Sequence, residues 1–172
     1  MKSKKLSEKI LRCIKSRGFN NIVLDPVLET KYILQRSGEN FKKFLFSFYD
    51  LNGKELCLRP DLTISSAIRF IQNKKDIKEK VFYSGEAFRK TYQKKDSIIK
   101  NQIGYEILGS NNKQKDDKEI IDTSLKILKN SGFKKSVLKI GNVELFNLLI
   151  NKLDIPRTVS YTHLTLPTIY SV

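Results

Sequence analysis

Apolar residues recur along this chain with two different periods. Leu6, Ile10, Cys13 and Ile14 repeat at helical spacing and Gly18 follows as a stop, which predicts a helix from about 5 to 17. Ile64, Ala67, Ile68 and Ile71 predict a second helix over LTISSAIRFIQNK. Ile120, Ile121, Ser124, Leu125 and Leu128 predict a third, from Asp116 to Asn130, ending near Gly132. VELFNLLINKL predicts a fourth. Between them lie runs richer in β-branched and aromatic residues. NNIVLDP reads as a short strand ending at Pro26. FKKFLFSFYD and KELCLRP read as strands around the turn LNGK. EKVFYSGEAF and NQIGYEILG read as two more, separated by the polar loop RKTYQKKDSIIK, and SVLKIGN as a last one. Hairpins and long loops join the strands without regular βαβ alternation. The expected class is therefore α+β, with an antiparallel sheet flanked by helices.

Composition narrows the function classes. The 172 residues suit one domain or a large part of one. No stretch reaches the roughly 20 apolar residues of a membrane helix. The basic N-terminus lacks the unbroken apolar core of a signal peptide, so a cytoplasmic protein without membrane contact is expected. Cys13 and Cys57 each sit in an apolar pattern and read as small core residues. With no CxxC and no His/Cys cluster, no metal site is expected. The net charge of +15 invites a nucleic-acid reading. Of the 33 basic residues, however, only seven are arginine, the residue whose planar fork suits phosphates and base edges. Lysine, isoleucine and asparagine make up about a third of the chain, and their A/T-rich codons explain much of the charge. Nucleic-acid binding is not the expected role, and a stand-alone basic RNA-binding module is the weakest of the readings weighed.

The pattern breaks at residue 158. From Thr158 onward there is no Asp, Glu, Lys or Arg. VSYTHLTLPT resembles the translation of a common sequencing-library adapter, so residues 158–172 are expected to be a non-native tail and residues 1–157 the native part. His163, the chain's single histidine, falls in that tail and is not expected to act as ligand or base. The native protein is expected to continue beyond Arg157.

Three segments then stand out together: RGFNNIVLDPVLE, SFYDLNGKELCLRPDLT, and FRK followed by Gln102-x-Gly104-x-Glu106. In this order they resemble the histidyl-tRNA synthetase-like branch of the class II synthetases, which includes the regulatory subunit of ATP phosphoribosyltransferase. The resemblance covers roughly residues 5 to 157 and implies a class II catalytic-core fold, here incomplete. It places Arg89 at the motif 2 arginine, which grips a carboxylate or α-phosphate. It places Asp61, Thr63, Gln102 and Glu106 where synthetases hold the amino group of histidine, since an ammonium needs convergent acceptors. The departures are equally specific. Thr91 stands where an acidic residue reads adenine. Ile98, Ile99 and Lys100 stand where the motif 2 loop carries Arg-Glu-Phe, and the loop is about one residue shorter. Aliphatic groups cannot supply charged contacts to ATP.

The resemblance therefore implies a regulatory subunit without catalytic residues, cofactor or aminoacylation activity of its own. Its expected partner is the short catalytic subunit of ATP phosphoribosyltransferase, which acts in the first step of histidine biosynthesis. A homodimer within a hetero-oligomer and a histidine-like amino-acid ligand at Asp61, Thr63, Arg89, Gln102 and Glu106 are expected with it. The alternative is a divergent histidyl-tRNA synthetase. An internal ion pair of the carboxylates with Arg59, Arg69 or Arg89 is the structural alternative to a ligand.

Overall fold

A computed structural model describes residues 2–73, 77–92, 95–133, 135–141 and 143–152. The chain divides into two compact units, 1–134 and 135–172. The first holds all the strands among the described residues. Helix α1 (Lys2–Ser16) ends where Arg17 and Gly18 turn their amides back onto Ile14 and Lys15, with Gly18 at φ 81°. Strand β1 (Asn20–Asn21) follows, then β2 (Val27–Glu29), α2 (Thr30–Ser37), a 3-10 helix (Glu39–Phe44), β3 (Ser47–Tyr49), β4 (Glu55–Leu58) and α3 (Thr63–Gln72). The long hairpin of β5 (Glu79–Phe88) and β6 (Ile99–Leu108) leads into α4 (Lys113–Asn130). The second unit contributes α5 (Val143–Lys152).

Two three-stranded sheets result, in the orders β1-β5-β6 and β2-β4-β3. All pairs are antiparallel except β1 with β5. The LNGK turn forms as the sequence predicts. The carboxylate of Asp50 accepts from the amides of Asn52 (2.8 Å) and Lys54 (2.9 Å), and Gly53 takes φ 76°.

The β5–β6 hairpin alternates its side chains between two faces. On one face, Ile14 and Phe19 pack with Phe82 against Ile103, Tyr105 and Ile107, with Ile120 and Ile127 of α4. Burying a side chain of this size stabilises the fold by roughly 1.5–3 kcal/mol, so this layer is the main anchor of the hairpin. On the other face, Leu24, Leu62, Tyr83 and Ala87 form a smaller cluster beneath the start of α3. A third cluster of Ile33, Leu45 and Cys57 seats α2 on the small sheet.

Arg59 joins the two sheets. It is only 8% exposed. Its Nε donates to the carbonyl of Glu86 (2.8 Å) and its Nη1 to that of Leu24. Its own amide donates to Pro26 O, and its own carbonyl accepts from Phe88 N (2.9 Å). A Cβ built on Gly85 would come within 2.6 Å of Arg59 Nη2, so glycine is what lets the guanidinium lie against β5.

Four expectations need correction. FKKFLFSFYD is a strand only over Ser47–Tyr49. Before it, Gly38 (φ 79°) and a 3-10 turn carry Phe41 and Leu45 into the third cluster at a spacing of four. NNIVLDP pairs only at Asn20–Asn21, with Ile22 N adding one bond to Phe82 O, because Arg59 and Pro26 then pull the chain towards the other sheet. Helix α2 was not expected, since its eight residues bury only Thr30 and Ile33. SVLKIGN forms no strand over residues 136–141, where nothing among the described residues pairs with it; Asn142 lies outside them. The tail from Thr158 also lies outside the described residues, as does His163. No helix among the described residues is long and apolar enough to cross a membrane.

Candidate functional site

The residues singled out from the sequence gather where the start of α3 meets the polar face of the β5–β6 hairpin. Register explains the grouping. Gly85 lies opposite Gln102, Tyr83 opposite Gly104 and Val81 opposite Glu106, so all six belong to one face. The strand-to-helix turn Pro60-Asp61-Leu62 crosses this face.

Each group has a defined partner. Asp61 Oδ1 accepts from Ile64 N (3.0 Å), capping the first turn of α3. Gln102 Oε1 accepts from Leu62 N (3.0 Å). Because a backbone N–H can only donate, this contact fixes the amide's orientation. Gln102 therefore turns its NH2 away from that bond, and it offers donors where the sequence comparison leads one to expect an acceptor. Arg89 Nε donates to Pro60 O (2.7 Å), so the guanidinium braces the same turn from below.

Thr63 and Glu106 meet through a residue that sequence reasoning missed. The Tyr83 hydroxyl lies 3.2 Å from Thr63 Oγ1 and donates to Glu106 Oε1 at 2.6 Å. Its ring lies across β6, and a Cβ on Gly104 would fall 2.4 Å from a ring carbon. The signal was present in the sequence. Tyr83, Gly85, Gly104 and Glu106 alternate at period two on paired strands, and a glycine facing an aromatic residue marks a close approach. Burial, then the bond to Glu106, push the Tyr83 phenol far above its ordinary pKa, with the charges of Glu106 and Asp61 adding to the shift.

The three arginines do not neutralise these carboxylates. Arg69 pairs with Glu79 (2.9 Å), while Arg59 and Arg89 are hydrogen-bonded to carbonyls. Among the described residues, no ion pair includes Asp61 or Glu106. Concavities occur elsewhere on the surface, at Glu29, Lys31 and Glu55, between Val23, Leu28 and Ile68, and at Arg12, Lys15 and Asn20.

The departures from the synthetase pattern lie in the loop between the strands, at Thr91 and Ile98, and in the first residues of β6, Ile99 and Lys100. Arg89 N donates to Ile98 O, closing the hairpin. Ile98 and Ile99 are 47% and 41% exposed.

Comparison with known proteins bears on the family and the fold. The sequence profile described as histidyl-tRNA synthetase matches residues 1–165, a span that runs past Arg157 into the charge-free tail. The histidine–tRNA ligase of Pyrococcus abyssi is 33% identical over 141 residues, covering 78% of this chain and 32% of that protein. The ATP phosphoribosyltransferase regulatory subunit of Ruminiclostridium cellulolyticum is 29% identical over 151 residues, covering 84% and 35%. The chain thus spans about a third of the length of the curated relatives it matches. A solved structure titled ATP phosphoribosyltransferase regulatory subunit/histidyl-tRNA synthetase, from Bacillus halodurans, superposes with a TM-score of 0.63 at 22% identity, over 76% of this chain and 34% of that one. That likeness is one of fold. The sequence profile and the ligase match carry the assignment further: this chain belongs to the histidyl-tRNA synthetase family and has its class II synthetase fold.

Proposed function

We propose that this chain is the N-terminal part of a regulatory subunit of ATP phosphoribosyltransferase: a cytoplasmic protein of the synthetase fold with no aminoacylation chemistry of its own. The observation that carries this reading is the β5–β6 loop with the first residue of β6. Thr91, Ile98 and Ile99 occupy positions where the resemblance calls for charged groups against ATP, and both isoleucines are substantially exposed. The acidic contact to adenine at Thr91 and the charged contacts to ATP at Ile98 and Ile99 would be missing there. The proposed partner is the catalytic phosphoribosyltransferase subunit, with this protein as a homodimer within a hetero-oligomer.

The polar face suits an amino-acid ligand, with histidine the candidate. Asp61, Thr63 and Glu106 would receive its ammonium. Arg89 would receive its carboxylate, with the Gln102 NH2 as a second donor. Such a ligand would serve feedback sensing.

A second reading, a divergent histidyl-tRNA synthetase, is favoured by the 33% identity to the Pyrococcus ligase. The test between them is reconstitution. Full-length protein added to the short catalytic subunit should switch on phosphoribosyl transfer, and histidine should suppress it. If the catalytic subunit stays inactive with the full-length protein present, the regulatory reading fails.

A further inference from the structure

Two joints tie the β5–β6 hairpin to the segments around the small sheet, and they differ in burial. One is Arg59, 8% exposed, whose carbonyl accepts from Phe88 N and whose guanidinium reaches two further carbonyls. The other lies just beyond, where the chain leaves β5. There Lys90 N donates to Phe44 O (2.8 Å) at the end of the 3-10 helix. Beside that bond the Tyr92 ring meets Phe44 edge-on, with centroids 6.0 Å apart. Lys90 Nζ lies 5.6 Å from the centroid of the Phe46 ring. Between the two joints, Arg89 N donates to Ile98 O and closes the hairpin.

The second joint continues inward. Phe44 also meets Phe41, with centroids 5.7 Å apart, and Phe41 packs against the third cluster of Ile33, Leu45 and Cys57, which seats α2. Packing therefore runs unbroken from Tyr92 to α2. The path is anchored at its inner end and loose at its outer end. Ile33 and Leu45 are fully buried, Phe44 is half-buried and Tyr92 is 79% exposed. Contacts this exposed are the ones that open locally while the rest of a fold stays intact. The entry to the 3-10 helix is constrained as well. Gly38 holds φ 79° and ψ 159°, a conformation reserved for glycine, and a Cβ built there would meet nothing within 4 Å.

We propose that Tyr92 and Phe44 form a latch between the β5–β6 loop and the small sheet. Closed, it holds Arg89 and Lys90 in the hairpin geometry and the 3-10 helix against α2. Open, it frees both segments together while the Arg59 joint stays made. Whatever engages the loop and whatever acts on α2 are then coupled, and each shifts the other's equilibrium by the same factor. The latch rests on these contacts alone, and it stands apart from the amino-acid ligand and the partner proposed above.

The test is amide hydrogen exchange on the full-length protein, read at the bonded amides of Phe41, Leu45, Arg89 and Lys90, with Phe88 as the control at the Arg59 joint. Tyr92→Ala should speed the first four by about tenfold, the scale of one lost aromatic pair, and leave Phe88 unchanged. Tyr92→Phe keeps the ring and should exchange like the wild type at every one of these amides. Gly38→Ala strains only the far end of the path, because its methyl meets nothing. Faster exchange at Arg89 and Lys90 in that variant is the expected sign of coupling, which a purely local loss would not give. If Gly38→Ala does not fold, Phe44→Leu takes its place and should release the same four amides. The latch is overturned if Tyr92→Ala speeds Arg89 and Lys90 without Phe41 and Leu45. It is equally overturned if the variant at Gly38, or its replacement at Phe44, leaves the loop amides unchanged, or if Phe88 is released with the rest.

Discussion

Two tyrosines stand on neighbouring strands of one hairpin and face opposite ways. Tyr105 points into the apolar layer, edge-on to Phe19 at 5.4 Å, with its hydroxyl bonded to Ser124 of α4. Tyr83 points to the polar face, lies across a glycine, and bonds a carboxylate and an exposed threonine. Burial raises the phenol pKa of both, but only Tyr83 has a carboxylate as the next cause. The first tyrosine completes a helix–sheet contact that would hold the hairpin with or without a ligand. The second holds groups that packing alone does not require. If the proposed amino-acid site is right, the parity of the hairpin's residues gives the Tyr83 face a ligand role beside its own small core, while the Tyr105 face serves packing alone.

The largest effect that would break this comparison is loss of the apolar layer. Phe82→Ala should destabilise the full-length protein by about 3–5 kcal/mol, read by denaturant unfolding, and should abolish every other property with it. Gly104→Ala comes next. The added methyl overlaps the Tyr83 ring, which cannot shift without leaving its cluster, so a cost of about 1–3 kcal/mol is expected. Here the ligand face should suffer more than the fold: histidine binding should be lost in protein that still unfolds cooperatively. Tyr105→Phe should cost only about 0.5–1.5 kcal/mol and leave histidine binding unchanged. If it impairs binding, the two faces are not separate.

The smallest effect is a pH dependence. Folded Tyr83 holds its proton more tightly than the unfolded phenol, whose pKa is near 10. Its contribution is therefore complete below that value and is lost as pH rises through the higher folded value. Stability measured by denaturation between pH 8 and 11 should fall above about pH 10, and Tyr83→Phe should flatten part of that fall.

Much of the fold was legible because its longer elements carry their period plainly. Residues 79–88 form the strand predicted from their β-branched and aromatic run, and α1, α3 and α4 lie within a few residues of their apolar stripes. Short elements were not legible. Helix α2 is set by Gly38 and by what Ile33 packs against, and neither leaves a repeating pattern in eight residues. Sheet membership was hidden too, because it depends on Arg59 reaching backbone carbonyls far along the chain. The site was legible as residue types through family resemblance. Its wiring was not: Gln102 is committed to Leu62 N and Glu106 to Tyr83, and such partners follow from register.

We propose a synthetase fold without adenylation. It is tested most directly by histidine-dependent ATP–pyrophosphate exchange with purified full-length protein. The charged ATP contacts missing at Thr91, Ile98 and Ile99 together predict no exchange above background. Robust exchange that requires histidine would contradict the claim and make the chain part of a working ligase.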